Sequence, residues 1–384
     1  MFYNPIITIL EVNTISLRLF AFKKNGPFFR LVESLSANYD GVGAHGFNKP
    51  DKLFSIIQDL FARQSQKIKF LPSKVYVILP QTFINTAISE SEVSINSRYV
   101  TKRDVTSLYA KCASPHPDFM TIGYAPVSFK SLNNPVMFNP VGQECTKLYG
   151  VVSVILLEKR IKEFFDKAAK RLRKTFIYLG ESNLCMEKAD KDINIAGATR
   201  LLINFREEHI SASLCKGKAI LSTKIIDWGA NHVIYALQDL LKIDFNKATI
   251  LSNKLNLNVN CQDNDFYVLN DGDKLAEYNM KAVNKRVANT FDYLSQNIKK
   301  AIDSFKLDTS VPVYITGSDV CEIRGVKELL NNALGGEMLQ TLTPKLINFD
   351  NTSNYPLVSC VEWIDNETSS SFNFFKINKW RVRR

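Results

Sequence analysis

Two stretches of the chain, one near residue 6 and one near residue 200, carry the same pattern of three strand-like runs joined by short turns. In the first, Ile6–Leu10 and Ser16–Phe22 flank a turn at Glu11–Thr14, and Phe28–Leu35 follows a turn at Lys23–Gly26. In the second, Arg200–Phe205, Ile210–Leu214 and Ala219–Ile226 follow one another, with Lys216–Gly217 at a hairpin turn. Short runs of β-branched and aromatic residues bounded by turn formers read as strands. Helical spacing follows each meander: Leu53, Ile56, Ile57, Leu60 and Phe61 within Asp51–Arg63, and Val283, Val287, Phe291, Leu294, Ile298 and Ile302 within Ala282–Phe305. The two halves show no obvious sequence repetition. This order predicts a duplicated α/β architecture with a cleft between its halves.

The segments between extend the pattern. Lys74–Leu79, Thr121–Phe129, Cys145–Leu156, Thr175–Leu179 and Val311–Ile315 read as strands, and Thr101–Cys112, Lys159–Arg173, Asn231–Leu241 and Val326–Leu334 as helices. Thr101 with Asp104 three residues on is a helix-start signal. Lys159–Arg173 turns Ile161, Phe164, Phe165, Ala168 and Leu172 to one side and a row of cations to the other, the pattern of a solvated outer face.

Size and charge narrow the function classes. With 384 residues and 45% hydrophobic content, the chain suits two to four subdomains around separate cores. The net charge is +11, but five of those charges (Lys376, Lys379, Arg381, Arg383, Arg384) sit in the last nine residues, leaving +6 on the rest. A nucleic-acid binder concentrates charge on one face. An acidic partner or an anionic membrane accounts for this excess, and no nucleic acid is expected. The cysteines at 112, 145, 185, 215, 261, 321 and 360 are isolated and lack metal-ligand spacing, as are His45, His116, His209 and His232. They read as reduced thiols in a cytosolic protein without a metal site. Met1–Phe22 is broken by polar residues and alternates like a strand, so no secretory signal is expected, and no apolar run is long enough to span a bilayer.

Several motifs, taken in order, resemble FtsA, the actin-like family of bacterial cell division. Val100-Thr101-Lys102-Arg103-Asp104-Val105 is similar to its "eIT-x-x-DV" helix start, and Asn139-Pro140-Val141-Gly142 to the "NPxG" of its inserted subdomain. Asp227-Trp228-Gly229-Ala230-Asn231 and the helix after it look like "GG-x-x-I-T-x-D-I-A-x-x-L". Tyr314-Ile315-Thr316-Gly317, with Ile323-Arg324-Gly325-Val326, looks like the adenosine-side "LTGG…l.G". The resemblance implies an actin-like, ribonuclease H-like duplicated fold with two lobes around a cleft and an FtsA-type inserted subdomain. It divides the chain into 1–84 and 171–199 (first core subdomain), 85–170 (insertion), 200–230 with 307–364 (second core subdomain), 231–306 (outer subdomain), a linker at 365–371 and a membrane-targeting tail at 372–384.

The departures from the family bear on its ATP site. Such sites rest on glycine-rich turns that bring backbone N–H groups against phosphates, with an acid in each turn. The first turn, "DIGT", aligns with Glu11-Val12-Asn13-Thr14. The second, "DIGGGTT", aligns with Asn204-Phe205-Arg206-Glu207-Glu208-His209-Ile210, where all three glycines are replaced. The "AExxK" segment reads Ala248-Thr249-Ile250-Leu251-Ser252, and the second glycine of "TGG" is Ser318. The resemblance therefore implies a degenerate nucleotide site at Glu11, Asn13, Thr14, Asn204, Arg206, Gly229, Gly317 and Ser318. No catalytic residue is assigned, and at most weak binding of ATP with Mg²⁺ remains open.

Beyond Trp363 the composition turns polar, Asp365-Asn366-Glu367-Thr368-Ser369-Ser370-Ser371, as in a flexible linker. There follow Phe372, Phe374, Phe375, Lys376, Ile377, Lys379, Trp380, Arg381, Arg383 and Arg384, aromatic and cationic with no acid. Aromatic rings favour the bilayer interface and each cation near anionic lipid adds roughly 1 kcal/mol. The segment resembles FtsA's amphipathic anchor, although its apolar positions fall on two arcs; a docking peptide for another protein is the alternative. The expectation is a cytoplasmic, filament-forming scaffold, peripheral on the inner membrane face at the division site, that binds a tubulin-like FtsZ. An ATPase or kinase of the same superfamily, with Asp227 as the nearest catalytic candidate, and a pilus-type adaptor for a membrane-protein tail are the competing readings.

Overall fold

The structure is a computed structural model that describes residues 6–25, 28–39, 42–43, 46–69, 71–113, 116–131, 134–193, 197–271, 274–307, 311–334, 339–346 and 349–367. The chain packs as two units. One holds the residues up to Ala198, Gly217–Ile220 and those from Pro356 onward; the other holds Thr199–Lys216 and Leu221–Tyr355.

The first unit opens with the expected meander: β1 (Ile6–Val12), β2 (Ser16–Asn25) and β3 (Phe28–Asn38), successively antiparallel. A two-residue pairing, β4 (Val42–Gly43) with β5 (Gly46–Phe47), precedes α1 (Pro50–Lys67). Pro50 sits in the first helical turn, where no intrahelical N–H bond is lost. Leu53, Ile57, Leu60 and Phe61 bury the inner face of α1. β6 (Lys74–Leu79) joins β1 in parallel.

A second sheet follows. It contains β7 (Ile84–Tyr99), β8 (Phe119–Ser131), β9 (Asn134–Met137) and β10 (Glu144–Glu158), antiparallel in the order β7-β10-β8-β9. One face is covered by α2 (Lys102–Cys112), whose Leu108 and Cys112 pack with Ile95, Phe129 and Leu148. A side chain at Gly150 would meet Leu108 at 2.7 Å, so the glycine lets the helix lie close. Thr101 and Asp104 cap α2 reciprocally, and Arg98 bonds both Asp104 oxygens at 2.7 and 2.8 Å. That guanidinium holds the Asp104 carboxyl well below the usual carboxylate range. The chain returns through α3 (Lys159–Arg171), β11 (Thr175–Gly180) and α4 (Glu181–Ile193), and β11 completes the main sheet in the order β11-β6-β1-β2-β3.

The second unit repeats that sheet. β12 (Thr199–Phe205), β13 (Ile210–Lys216) and β14 (Ala219–Ile226) form the meander, and β17 (Val313–Thr316) and β18 (Leu339–Thr341) add in parallel, in the order β14-β13-β12-β17-β18. Between β14 and β17 lie α5 (Asn231–Leu241), α6 (Phe245–Ser252), the hairpin β15 (Phe266–Asp271)–β16 (Lys274–Asn279) and α7 (Met280–Asp303). α8 (Val326–Ala333) separates β17 from β18. Ile203, Phe205, Val233, Leu237, Val287, Phe291 and Leu294 share one core. Each sheet thus joins a three-strand meander to two parallel strands, the duplication that the sequence order predicts.

Some elements were not expected from periodicity: β7, α4, α6, the β15–β16 hairpin and a final helix, α9, over residues 355–367. α9 corrects the linker, because Asp365–Glu367 continue the helix. An ion pair from Lys24 to Asp365 and a 2.7 Å bond from Asn366 Nδ2 to the Glu362 carbonyl hold its last turn. Residues 368–371 and the whole expected membrane segment, 372–384, lie outside the described residues. The seven cysteines, all among the described residues, form no disulfide; Cys145 and Cys261 are half-buried and the other five buried.

Candidate functional site

The expected nucleotide residues fall in two groups, one in each unit. In the first unit, Glu11 lies within the buried run of β1 and stands opposite Arg18 across the hairpin. Arg18 Nε donates to Glu11 Oε2 at 2.6 Å, and its Nη2 lies 2.5 Å from the same oxygen. Glu11 is 0% exposed, so its charge is balanced within the hairpin. Asn13, which stands where the family's turn has glycine, does not take a positive φ. Its N–H donates to the Ser16 carbonyl at 2.9 Å and its amide to Ser16 Oγ at 3.3 Å, so hydrogen bonds close the turn in place of glycine's freedom. Thr14, in that turn, is half-buried.

In the second unit, Arg206–His209 connects β12 to β13 and is closed by Arg206 N–H donating to the His209 carbonyl at 2.9 Å. Arg206 is only 3% exposed. Glu208 Oε1 accepts from Asn231 Nδ2 at 2.8 Å and from the Tyr235 hydroxyl at 2.7 Å, which turns it onto α5. Glu207 keeps one carboxylate oxygen buried with no hydrogen-bond partner. Burial first, and the Arg206 charge second, push the His209 imidazole down to about 3, so it is neutral at physiological pH. The turn therefore offers two carboxylates against one guanidinium.

Backbone packing fixes this turn from two sides. The N–H groups of Ala230 and Asn231, at the start of α5, donate to the Arg206 and Glu207 carbonyls at 2.8 and 2.9 Å. The chain thus satisfies with its own carbonyls the amides that a helix start would offer an anion. A side chain at Gly229 would meet those carbonyls at 2.5 and 2.4 Å. At Gly317, φ is +99° and a Cβ would stand 2.0 Å from Asn204 Oδ1 and 2.3 Å from the Phe205 carbonyl. Asn204 is 0% exposed beneath this glycine, and neither atom of its amide has a hydrogen-bond partner. Ser318 Oγ accepts from the Val320 N–H at 3.4 Å, and the Ser318 carbonyl accepts from the Thr352 hydroxyl at 2.6 Å. Asn204, Arg206, Gly229 and Gly317 are therefore neighbours in one packed knot. The catalytic candidate Asp227 sits on an exposed bend just past β14.

Among the described residues, two of the concave surfaces outside these turns adjoin other motifs of the sequence. Near the adenosine-side motif, a polar cavity of about 610 Å³ is lined by Lys254, Asn256, Asp319, Glu322 and Arg324. In the first unit, a groove of about 710 Å³ is walled by Tyr109, Tyr124, Phe129, Phe138, Val141 and Ile155. Tyr109 and Tyr124 stack at 5.3 Å, and burial pushes the Tyr109 phenol up to about 12. The segment similar to "NPxG" forms one edge: Asn139 Oδ1 accepts from the Val141 N–H at 3.2 Å, and Gly142 takes φ +89°. That motif and Val105, at the end of the helix-start motif, were the sequence signals for the groove, and spacing alone does not reveal the rest of its walls.

No family model and no curated protein matches the sequence. Solved structures do match. The chain is similar to the PilM–PilN type IV pilus biogenesis complex at 13% identity and a TM-score of 0.58, over 92% of this chain and 96% of that one. It is similar to MreB5 of Spiroplasma citri bound to AMPPNP at 10% identity and 0.55, over 96% and 98%. The ethanolamine utilization protein EutJ from Carboxydothermus hydrogenoformans aligns at 11% and 0.51, over 92% and 88%. These likenesses show an actin-like fold.

Two outcomes follow from the packed turn. Gly317→Ala should cost more than about 2 kcal/mol, since it adds left-handed strain to a collision with backbone. Gly142→Ala, also at positive φ but with nothing within 4 Å, should cost clearly less; urea denaturation of both variants checks the order. His209 has a depressed folded value, so its contribution to stability is present above about 6.5 and is lost as pH falls towards about 3, at up to about 1.4 kcal/mol per pH unit. His209→Asn should flatten the stability profile between pH 6.5 and 4, measured by the same denaturation.

Proposed function

We propose that this chain is a scaffold of the actin superfamily that works by binding macromolecules and does not turn over ATP. The observation that carries this reading is the β12–β13 turn. Where a phosphate-binding turn needs bare backbone, it holds two glutamates, one with a buried oxygen, an uncharged imidazole and an arginine that is almost fully buried. Polyphosphate brought to such a turn meets like charge in a poorly hydrated place. Calorimetry with ATP and Mg²⁺, together with phosphate release, tests the reading on purified protein. The expected result is no turnover and no binding tighter than millimolar; micromolar affinity with steady hydrolysis would overturn it.

Within that class, an FtsA-like tether is the finer proposal: residues 372–384 hold the scaffold on an anionic membrane, and it self-associates and engages a tubulin-like FtsZ partner. The composition of the segment supports the first part. A shallow surface between α5 and α7, with Trp228, His232, Tyr235, Arg286 and Tyr293 around it, supports a protein contact on that side, since such residues dominate interface energetics. Among the described residues no helix is long and apolar enough to cross a membrane, so attachment would come from a peripheral segment. Many weak segments on one polymer bind where one does not. The second reading is a pilus-type adaptor that holds a segment of a membrane protein. It is favoured by the aromatic groove of the first unit and by the likeness to a protein solved in complex with PilN.

Vesicle co-sedimentation separates the two. The full chain should pellet with anionic vesicles at low salt, and a truncation after Ser371 or the substitution Trp380→Glu should leave it in the supernatant. Equal sedimentation of full and truncated chains would remove the membrane tether and leave the adaptor reading.

A further inference from the structure

At one end of the main sheet of the first unit, two connections come together, and neither contains an acid. α1 runs through Lys67 and Lys69 to the start of β6 at Lys74. α3 runs through Lys170, Arg171, Arg173 and Lys174 to the start of β11 at Thr175. β6 and β11 are parallel neighbours with Lys74 opposite Thr175, so the connections lie side by side. Two bonds tie them: the Thr175 N–H donates to the Ser73 carbonyl at 2.8 Å, and Lys174 Nζ donates to the Pro72 carbonyl at 2.9 Å. Phe61 of α1 stacks on Phe176 of β11 at 6.3 Å and holds helix and strand together. Because β1 runs parallel to β6, this end of the sheet is opposite to the Glu11–Thr14 turn. Residues 67–74 and 170–175 bring seven cations there and no Asp or Glu.

Most of that charge is not neutralised within the fold. Lys67 pairs with Glu33 at 3.1 Å. Lys69, Lys74, Lys170, Arg171 and Arg173 are exposed, and none of the five forms an ion pair among the described residues. Arg171 lies over the Phe54 ring, 4.9 Å from its centroid, which leaves its charge open to solvent. Helix C-termini attract cations within the last turn, and Lys67, Lys170 and Arg171 stand in such turns. Lys69, Lys74 and Arg173 lie beyond them. Arg173 also takes φ of +53°, where glycine or asparagine would be relaxed, so a charged side chain is kept at the expense of backbone strain. The charge is segregated over the whole chain as well. Stretches 49–74 and 158–174 hold fourteen cations and five acids, and 372–384 holds five cations. The remainder, with thirty cations and thirty-three acids, is slightly acidic.

We propose that this end of the first unit is a docking surface for an anionic lipid membrane, with Lys69, Lys74, Lys170, Arg171 and Arg173 in the headgroup layer. Five of the seven cations are lysines, point charges on flexible stems that meet an anion from any direction; surfaces that recognise nucleic-acid phosphates favour the fixed fork of arginine. The described residues of the two connections carry no ring on which a base could stack. Half-buried Leu71 and Leu172 stand among the cations, the mixture of apolar and cationic groups that suits a lipid headgroup boundary. An anionic surface attracts this end and repels the slightly acidic remainder, so the same charges orient the chain. This contact rests on the membrane-tether reading and deepens it: the tether gains a second point of attachment, made by the folded unit, that strengthens the hold of 372–384 through avidity.

The test compares the full chain with a full chain carrying Lys69→Glu, Lys170→Glu and Arg173→Glu. Both are sedimented with phosphatidylcholine vesicles, with and without phosphatidylglycerol, at low salt. Each cation near anionic lipid is worth roughly a fivefold change in partition, so losing three should raise the lipid needed for half-binding about a hundredfold. Neutral vesicles should show no difference. Hydrogen exchange of the unchanged chain on anionic vesicles should slow at 67–74 and 170–175. Lys69→Gln with Lys170→Gln and Arg173→Gln serves if the reversed chain fails to fold, with a smaller shift in the same direction. Unchanged half-binding in a folded variant would overturn the proposal, as would duplex DNA bound more tightly than vesicles through the same residues. A full chain that never sediments with anionic vesicles would overturn both this contact and the tether. The two are separable otherwise. If the reversals change nothing while Trp380→Glu releases the chain, the tether stands and this surface falls. If the reversals weaken binding and Trp380→Glu does not, the surface stands and the tether falls.

Discussion

The contact on which the second unit depends is the close approach of three backbone segments at the end of β12. The Arg206–Glu207 carbonyls receive the first amides of α5, Gly229 passes beneath them, and Gly317 closes over Asn204 and Phe205. The meander, the helix that leaves it and the parallel strand β17 are all fixed relative to one another at this point. It also explains a pattern in the sequence. Of the glycines the resemblance expects around this site, the three inside the turn and the second of "TGG", now Ser318, are gone, while Gly229 and Gly317 remain. The two survivors have no room for a Cβ. The three lost from the turn occupied positions that Arg206, Glu207 and Glu208 hold with hydrogen bonds of their own, and Ser318 uses its side chain to cap the next turn.

The first unit reaches a similar outcome by a different route. Its turn keeps an acid at Glu11, but the acid is engaged by Arg18, its cross-strand partner, and Asn13 closes the turn through Ser16. In both units, groups that the resemblance would direct at a nucleotide are occupied with folding. A fold can survive the loss of a ligand when each freed polar group gains an internal partner, because a buried group left unpaired destabilises the protein far more than a paired one stabilises it. Asn204, the Oε2 of Glu207 and the Nε2 of His209 are among the exceptions, buried without hydrogen-bond partners. They mark where the replacement is incomplete.

How much of this was legible in the sequence depends on the residues. Both meanders and α1, α2, α3, α5 and α7 were, because their apolar positions repeat at the period of the element and, for α2, because Thr101 and Asp104 announce the start. β7 was not: Ser89, Glu90, Ser91 and Glu92 interrupt any β-rich run, and the strand exists because it pairs with β10 over Ile84–Ser94 and again at Arg98 and Tyr99, along the edge of a sheet. α9 was hidden by its polar end, where Asp365 reads as linker until Lys24, far away in sequence, is seen beside it. The duplicated sheet order was readable as an order of strand types. The degenerate turn was readable from the missing glycines, but its packing was not. Nothing in Gly229 itself says that it lies against two carbonyls, and nothing in His209 says that it is buried enough to stay neutral.

The groove bears on the proposal that this fold works without turning over a nucleotide. An actin-like protein that hydrolyses ATP couples its partners to the state of the nucleotide; one that does not must take its regulation from elsewhere. Here a groove of about 710 Å³ lies within a single unit, on the side of a sheet whose helix is capped and charge-paired through Asp104 and Arg98. Its walls are stacked rings that do not rearrange cheaply. A rigid, preformed groove loses little freedom on binding, so occupancy is governed by how readily the occupant is supplied.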